Sequence, residues 1–157
     1  MTATQTLIAR GVLGVVGASA GFIAVSTERF RAGSSHSFDR LANATFLVSR
    51  FGLFVLLFFI LHLAPRGDIP AFYFPEATAV LHGAAPYRDF GSSYAPLHPY
   101  LDGSVILLWR SPLAIILLAI VCEAILLPVW LKLGRELFTE QSVRTAAVIY
   151  IASPISL

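Results

Sequence analysis

The sequence predicts an all-α, multi-pass membrane protein with a long loop on its outer side. Hydrophobic residues make up 57% of the 157-residue chain and charged residues 13%, whereas soluble domains average roughly 45–50% and 25%. A mean hydropathy of +0.77 leaves too few polar residues to cover the surface of a soluble fold. Several apolar stretches approach the roughly 20 residues that a helix needs to cross a bilayer. We therefore expect the lipid bilayer to be a partner of this chain.

Charge and cysteine content exclude other classes of function. The net charge is +2, the pI is about 9.0, and no basic cluster is visible, so we expect no nucleic-acid partner. The single cysteine, Cys122, lies in an apolar run, which excludes a disulfide framework and a thiolate zinc site. We also expect no cofactor.

Residues 1–40 form a separate N-terminal segment whose role the sequence leaves open. Its stretch 11–27 is rich in Gly and Ala and contains a GxxxG pair, Gly17 and Gly21. Such a pair favours close packing between membrane helices. The stretch therefore fits a marginal transmembrane helix, a signal-like segment or an upstream extension.

Residues 41–157 are predicted to form the membrane domain, and its first strong helix covers about 46–64. This stretch is strongly apolar and is followed by Pro65. Arg50 lies near its start, where a long side chain reaches the headgroups instead of crossing the hydrocarbon core. We therefore expect a transmembrane helix with Arg50 at the membrane surface.

A second strong helix is predicted at about 112–131. Pro112 is in its first turn, where proline is tolerated. Trp109 and Trp130 lie near its two ends and Lys132 follows, which is typical of residues at a membrane interface.

A third helix is predicted at 143–157, the last residues of the sequence. At ~1.5 Å per residue it is shorter than the ~30 Å hydrocarbon core. We therefore expect the chain to be the N-terminal part of a longer membrane protein.

The basic residues predict the orientation of these helices. Cytoplasmic links carry an excess of Lys and Arg, and basic residues are denser in the links before the first and after the second strong helix than in residues 65–111. We therefore expect a multi-pass protein of the cell membrane whose loop 65–111 faces outside. The basic residues of the two links are Arg29, Arg31, Arg40, Arg50, Lys132, Arg135 and Arg144.

The outward loop is predicted to contain two short helices. In the first, 75–82, Glu76 lies at the positive end of the helix dipole and Gly83 provides the stop. The second, 100–109, is too short to span a bilayer and is expected to lie in the membrane interface.

Asp68 is the most informative acid in the loop. It follows Arg66 and Gly67 directly after the first strong helix. We expect it near the C-terminal end of that helix, where the dipole does not favour an anion. Its position therefore suggests an ion pair with Arg66 or a catalytic role, although a solvated loop carboxylate is the more common case.

An ordered series of residues then resembles a known family. It starts at Asp68, continues through short aromatic and proline-containing motifs of the loop, and ends in the last helix. The series is similar to that of the polyprenyl-phosphate-sugar-dependent, GT-C type membrane glycosyltransferases, mannosyltransferases among them, over roughly residues 46 to 157. Its members are Asp68, Tyr73, Gly83, 86–90 (PYRDF), 94–97 (YAPL), 133–138 (LGRELF) and 153–154 (SP).

This resemblance implies transfer of a sugar from a polyprenyl-phosphate-linked donor to an acceptor on the outer face of the membrane. The acid in the first outward loop of such enzymes is the expected general base, and here it is Asp68. A base that takes the proton of an attacking hydroxyl typically raises the rate by ~10²–10⁴-fold, and a single displacement inverts the sugar carbon. The acceptor stays undefined.

Four further loop residues are candidates for substrate binding. Arg88 has the permanent charge that a phosphate leaving group needs, but an ion pair with Asp89 or a headgroup contact explains it equally well. Asp89 is expected to shape a turn or to bind a sugar hydroxyl. Tyr87 and Tyr94 are expected to stack on a sugar or to anchor the loop at the interface.

Other ionisable residues suggest weaker alternatives. His82 and His98 share the loop with several acids, but their spacing is not that of a zinc site, so we expect no metal. Glu123 lies inside the second strong helix near Pro128, where it fits either a proton relay or a polar packing contact.

Two other classes of function remain as alternatives. A non-catalytic small membrane protein, either a partner subunit or a remnant, would bind lipid-linked sugar without transferring it. A transporter piece is suggested by Glu123, but no internal repeat supports it.

Overall fold

Helices account for all regular secondary structure in the described part of the chain. The structure, a computed structural model, describes Arg10, Gly17 and residues 34–153. Within this part no β-strand occurs, in agreement with the predicted all-α fold. The stretch 11–27 lies outside the described residues apart from Gly17. The helices are α1 (Ser35–Val55), α2 (Phe74–Leu81), α3 (Leu97–Leu108), α4 (Leu113–Leu137) and α5 (Glu140–Ala152), with π-helical turns at Leu56–Ile60 and Ile69–Tyr73.

Two helices are long and apolar enough to cross a membrane, judged by length and composition. They are Ser35–Ile60, with 26 residues and a mean hydropathy of 1.9, and Leu113–Leu137, with 25 residues and 2.6. Only 17% and 28% of their apolar windows are buried, unlike the mostly buried core helix of a soluble protein. The prediction of two strong apolar helices is therefore confirmed.

Helix α1 begins about eleven residues earlier than the predicted start at 46. Its first turns are polar on the outside, yet Phe38, Ala42 and Phe46 are buried at 2%, 0% and 0% exposure. This spacing of four residues forms one apolar stripe, and the stripe extends the helix back to Ser35. At the other end, the chain leaves the helix at Ile60, four residues before the expected end at 64.

Helix α4 also exceeds its prediction and runs to Leu137 instead of 131. Pro128 lies inside it, which shows that tertiary packing outweighs the loss of one backbone hydrogen bond. Leu127 and Leu131 on either side of the proline are 2% and 0% exposed. The helix therefore continues because its buried face continues.

The chain divides into two compact units. The first comprises Met1–Leu53 and Ala124–Leu157, and the second comprises Phe54–Glu123. The core of the first unit joins α1, the second half of α4 and α5. Its buried residues are Phe38, Ala42, Phe46, Leu127, Leu131, Val143, Ala147, Val148 and Ile151.

Charged contacts join three helices of the first unit. Arg135 donates to both carboxylate oxygens of Asp39 at 2.9 and 2.5 Å and to Glu140 at 2.7 Å. Arg144 donates to the same Glu140 at 2.7 Å. The start of α1 therefore lies beside the end of α4.

Arg50 is buried against α5, whereas the sequence predicted a side chain that extends outward to the lipid headgroups. It is 2% exposed, and its Nη2 donates to the backbone carbonyl oxygens of Ser153 at 2.6 Å and Tyr150 at 3.4 Å. These carbonyls lie at the C-terminal end of α5, where the backbone N–H of Ser153 also donates to the carbonyl of Tyr150 at 3.2 Å. The guanidinium satisfies them and lies 5.3 Å from the ring centroid of Phe46, so Arg50 joins α1 to α5.

The second unit is built on the packing of α2 against α3. Ala77, Ile106 and Ile115 form its buried cluster. Gly103 lies at this contact, where a Cβ would be 3.5 Å from the carbonyl oxygen of Ala77, an ordinary van der Waals distance that leaves no room for a larger side chain. Helix α2 matches its prediction within one residue, and Gly83 ends it with φ of +89°, the left-handed conformation expected of a helix stop.

Candidate functional site

The second unit gathers polar and aromatic residues from four segments of the loop. We call this set the loop cluster. The first two members lie at the two ends of the π-helical turn Ile69–Tyr73, and the third lies in α2. Two more lie in the connection between α2 and α3, and the last two lie in α3. The loop cluster consists of Asp68, Tyr73, Glu76, Ser92, Tyr94, His98 and Asp102.

Asp68 occupies the N-terminal end of a helix, not the C-terminal end of α1 as predicted. Gly67 turns the chain with φ of +71°, and Asp68 is the residue from which Ile69–Tyr73 begins. That turn leads directly into α2, so the positive end of this dipole favours the carboxylate. The prediction was wrong because residues 62–66, which form no helix, separate Asp68 from α1.

Tyr94 holds the carboxylate of Asp68. Its hydroxyl donates to Oδ2 of Asp68 at 3.2 Å, across 26 positions of sequence. The pKa of Tyr94 is raised by a hydrogen bond with Tyr73, by burial and by the charge of Asp68. Tyr94 therefore keeps its proton at neutral pH and remains a donor. Asp68 itself is exposed to solvent.

Three aromatic rings form the wall beside this pair. The ring centroid of Tyr73 lies 4.7 Å from that of Tyr94 and 4.8 Å from that of His98. The rings of Tyr94 and His98 are stacked, with centroids 5.4 Å apart and an interplanar angle of 26°. These distances are typical of favourable aromatic contacts, so each ring fixes the other two.

Glu76 and Ser92 tether the chain that carries Tyr94. The hydroxyl of Ser92 donates to Oε2 of Glu76 at 2.7 Å and accepts from the backbone N–H of Tyr94 at 3.2 Å. Glu76 is 8% exposed. The sequence suggested only a helix-dipole role for this acid, and the structure adds a tether from α2 to the connection that positions Tyr94.

His98 and Asp102 form a pair that the sequence analysis missed. Nδ1 of His98 lies 3.1 Å from Oδ2 of Asp102, within ion-pair distance, but neither atom has a partner with hydrogen-bond geometry in the described part of the chain. The pKa of Asp102 is raised mainly by burial, an effect that His98 opposes and Glu76 reinforces. The sequence did contain a signal for this pair, because residues four positions apart lie on the same face of a helix.

Arg88 and Asp89 bind each other. Nη2 and Nε of Arg88 donate to the two carboxylate oxygens of Asp89 at 2.7 and 3.0 Å, and Asp89 also accepts from the backbone N–H of Ala85 at 2.8 Å. The pKa of Asp89 falls to about 2, chiefly because of its bond with Arg88. Arg88 therefore forms the ion pair that was one of its predicted alternatives, and Asp89 shapes the turn.

Tyr87 contributes to the same turn. It has φ of +65°, its N–H donates to the carbonyl of Phe90 at 2.8 Å, and its hydroxyl donates to the backbone carbonyl of Tyr94. The ring is 58% exposed. Of the four predicted substrate-binding residues, only Tyr94 contacts Asp68 directly.

Within residues 34–153, no group of three or more His, Cys, Asp and Glu side chains is arranged to hold a metal ion. The chemistry of the loop cluster is therefore that of carboxylates, hydroxyls and one imidazole. Comparison with protein-family models, with curated proteins and with solved structures gives no match.

Proposed function

We propose that this protein is a membrane glycosyltransferase of the GT-C type that transfers a sugar from a polyprenyl-phosphate-linked donor, with Asp68 as the general base. The single observation that carries the proposal is the exposed carboxylate of Asp68, held by the hydroxyl of Tyr94 at 3.2 Å. The ordered motifs that resemble this family support the donor class. The two apolar helices on either side of the loop support a function at a membrane, where a lipid-linked donor is located.

The arrangement suits proton abstraction from a hydroxyl. Tyr94 binds Oδ2 of Asp68, so Oδ1 has no hydrogen bond from the described residues and is available to the substrate. A base needs a fixed position within hydrogen-bond reach of the proton that it takes, and Tyr94 provides that fixation. Exposure of Asp68 gives the acceptor access.

The reaction balances as one displacement. The acceptor hydroxyl oxygen forms a bond with the anomeric carbon, and its proton passes to the carboxylate of Asp68. The bond between the anomeric carbon and the phosphate oxygen breaks, and its electron pair stays on the phosphate. Attack opposite to the leaving group inverts the anomeric carbon.

We further propose a multi-pass topology in which α1 and α4 cross the membrane in opposite directions. The pairing of Asp39 with Arg135 supports the antiparallel order. In this arrangement, both ends of the loop 65–111 lie on the same side, and the basic links predict that this side is the outside.

Binding of lipid-linked sugar without transfer is the second candidate. The observation that favours it is the bidentate pair of Arg88 and Asp89, because Arg88 was the residue expected to stabilise the leaving phosphate. A site that binds without catalysis needs no such cation.

Substitution of the base separates the two candidates. We expect Asp68→Asn to lower transfer of labelled sugar from polyprenyl-phosphate donors by 10²-fold or more, measured with the purified protein in lipid vesicles. The amide oxygen still accepts the Tyr94 hydrogen bond, so folding is retained. Glu136→Gln removes an exposed carboxylate of α4 and serves as the matched control.

Two results would count against the proposal. Equal transfer by Asp68→Asn and the wild-type protein removes Asp68 as the base. Specific donor binding with no transfer by the wild-type protein favours the non-catalytic candidate.

A further inference from the structure

The loop cluster is rich in negative charge. It contains three carboxylates, Asp68, Glu76 and Asp102, and one imidazole, His98. A phosphate entering this set meets repulsion from like charges, which is strong where water is partly excluded. Hydroxyl groups, in contrast, donate hydrogen bonds to carboxylates and imidazole nitrogens, so the composition favours an uncharged, hydroxyl-rich ligand.

The pair of His98 and Asp102 adds a group that can accept a hydrogen bond, the imidazole of His98, to the loop cluster. Nδ1 lies 3.1 Å from Oδ2 of Asp102 without the angle of a hydrogen bond, and the negative charge of a carboxylate at this distance favours the tautomer with its hydrogen on Nδ1. Nε2 of the neutral ring is then a hydrogen-bond acceptor. The side chain of His98 is 39% exposed, so a ligand can reach it.

Burial of the Asp102 carboxylate costs free energy of folding, and its contacts do not offset this cost. Its side chain is 4% exposed, and Oδ2 meets only the ring of His98 in the described part of the chain. A buried carboxylate with so few partners destabilises a fold. Such a cost is expected where the acid orients a ligand-binding histidine, as carboxylates behind functional imidazoles do.

Tyr94 connects this pair to Asp68. Its ring stacks on His98 and its hydroxyl binds Asp68, so one side chain contacts both groups. Tyr73 contacts the same two rings. The imidazole and the proposed base therefore border a single aromatic surface.

We propose that His98, held by Asp102, binds a hydroxyl group of the acceptor through Nε2, so that the loop cluster receives the uncharged, sugar-like part of the acceptor and not the phosphate of the donor. The inference rests on the proposed function, because it assigns a second contact to the same substrate. His98 accepts a hydrogen bond from a hydroxyl next to the reacting one and takes no proton in the displacement. Asp102 is a positioning residue.

A ligand-binding measurement tests the proposal and does not require the protein to transfer sugar. Saturation-transfer NMR measures binding of methyl α-mannoside, methyl α-glucoside and methyl α-galactoside to the full chain in lipid nanodiscs, with geranyl phosphate as the phosphate-bearing probe. We expect at least one glycoside to bind, His98→Gln to remove its signal, and Asp102→Asn to weaken it by about fivefold or more. His82→Gln is the matched control, because His82 is exposed and bonds only to the carbonyl of Thr78 in the described chain.

The wild-type protein provides a second measurement that does not depend on how a variant folds. Addition of the glycoside is expected to shift the imidazole ¹⁵N resonances of His98 and to leave those of His82 unchanged. A shift at Nε2 larger than at Nδ1 matches a ligand on Nε2.

Three outcomes would overturn the inference: no glycoside signal above that of empty nanodiscs, a glycoside signal that His98→Gln leaves unchanged, or loss of geranyl phosphate binding in His98→Gln. The inference and the proposed function fail separately. Glycoside binding at His98 without any sugar transfer refutes only the transferase, whereas transfer that needs Asp68 but not His98 refutes only this inference.

Discussion

At the scale of single residues, the structure explains Asp68 through its neighbours. Its carboxylate combines the positive end of the helix dipole with one hydrogen bond from Tyr94 at 3.2 Å. Neither interaction blocks access from solvent, since Asp68 is exposed. The proposed role of Asp68 as a base requires that Tyr94 fixes its orientation, and substitution of Tyr94 tests this requirement.

Tyr94→Phe removes the hydroxyl and keeps the ring that packs on Tyr73 and His98. We expect the turnover number for sugar transfer to fall about tenfold, the order of 1.4 kcal/mol, while the circular dichroism spectrum stays unchanged. Tyr100→Phe is the control, since Tyr100 is exposed and has no hydrogen bond in the described chain. Equal turnover numbers for Tyr94→Phe and the wild-type protein would show that the Tyr94 hydroxyl does not position the base.

The pair of Arg88 and Asp89 predicts a pH dependence of stability. The pKa of Asp89 is about 2 in the folded protein, below its ordinary value of 3.8, so the unfolded chain takes up the proton first as the pH falls. The contribution is therefore complete above pH 4 and disappears towards pH 2. Thermal melting is expected to show wild-type protein slightly more stable than Asp89→Asn at pH 6, with the difference vanishing near pH 2. A constant difference over that range would contradict the assignment.

The sequence identified Asp68 and Tyr94 as candidates but not their contact. The two residues are separated by 26 positions, and no local pattern predicts where a loop returns. His98 and Asp102 have the spacing of a helical pair, but Pro99 between them made the segment resemble a turn. In the structure Pro99 lies in the first turn of α3, where a missing N–H has no cost.

At the scale of elements, prediction succeeded where end signals were strong. Helix α2 was placed within one residue because Glu76 and Gly83 are typical of a helix start and a helix stop. Helix α1 was placed about eleven residues late because its first turns are polar on their exposed side. In these turns only one residue in four is buried, beginning at Phe38. The average hydropathy of the segment is therefore low and does not reveal the helix.

The packing of α2 on α3 positions the loop cluster, because these helices carry Glu76, His98 and Asp102. Gly103→Leu places a large side chain against Ala77 and is expected to lower the free energy of unfolding by about 1–3 kcal/mol and to weaken glycoside binding. Gly91→Leu is the control, since nothing lies within 4 Å of a Cβ at Gly91. Denaturation midpoints measure the difference, and equal midpoints for the two variants would contradict this packing role.

At the scale of the whole molecule, the account requires two membrane crossings. The positive-inside argument is weaker in the structure than in the sequence, because Arg50 is buried at the end of α5, and Arg135 and Arg144 bind Asp39 and Glu140. The pairing of Asp39 with Arg135, which brings the start of α1 beside the end of α4, is the stronger support for the proposed topology.

Cysteine labelling tests the topology. Cys122→Ser removes the single cysteine, and Ser93→Cys or Ser37→Cys then introduces one exposed thiol into the loop or near the start of α1. In intact cells, a membrane-impermeant maleimide is expected to label Ser93→Cys and to spare Ser37→Cys until the membrane is opened. The reverse pattern would place the loop inside the cell.

The central claim is that Asp68 serves an inverting sugar transfer from a polyprenyl-phosphate donor. The most direct test is to supply the wild-type protein in vesicles with ¹³C-labelled sugar on polyprenyl phosphate and candidate acceptors, and to determine the anomeric configuration of the product by NMR. The account predicts a product whose labelled carbon is inverted relative to the donor, and its loss in Asp68→Asn. A product with retained configuration, or one formed equally well by Asp68→Asn, would contradict it.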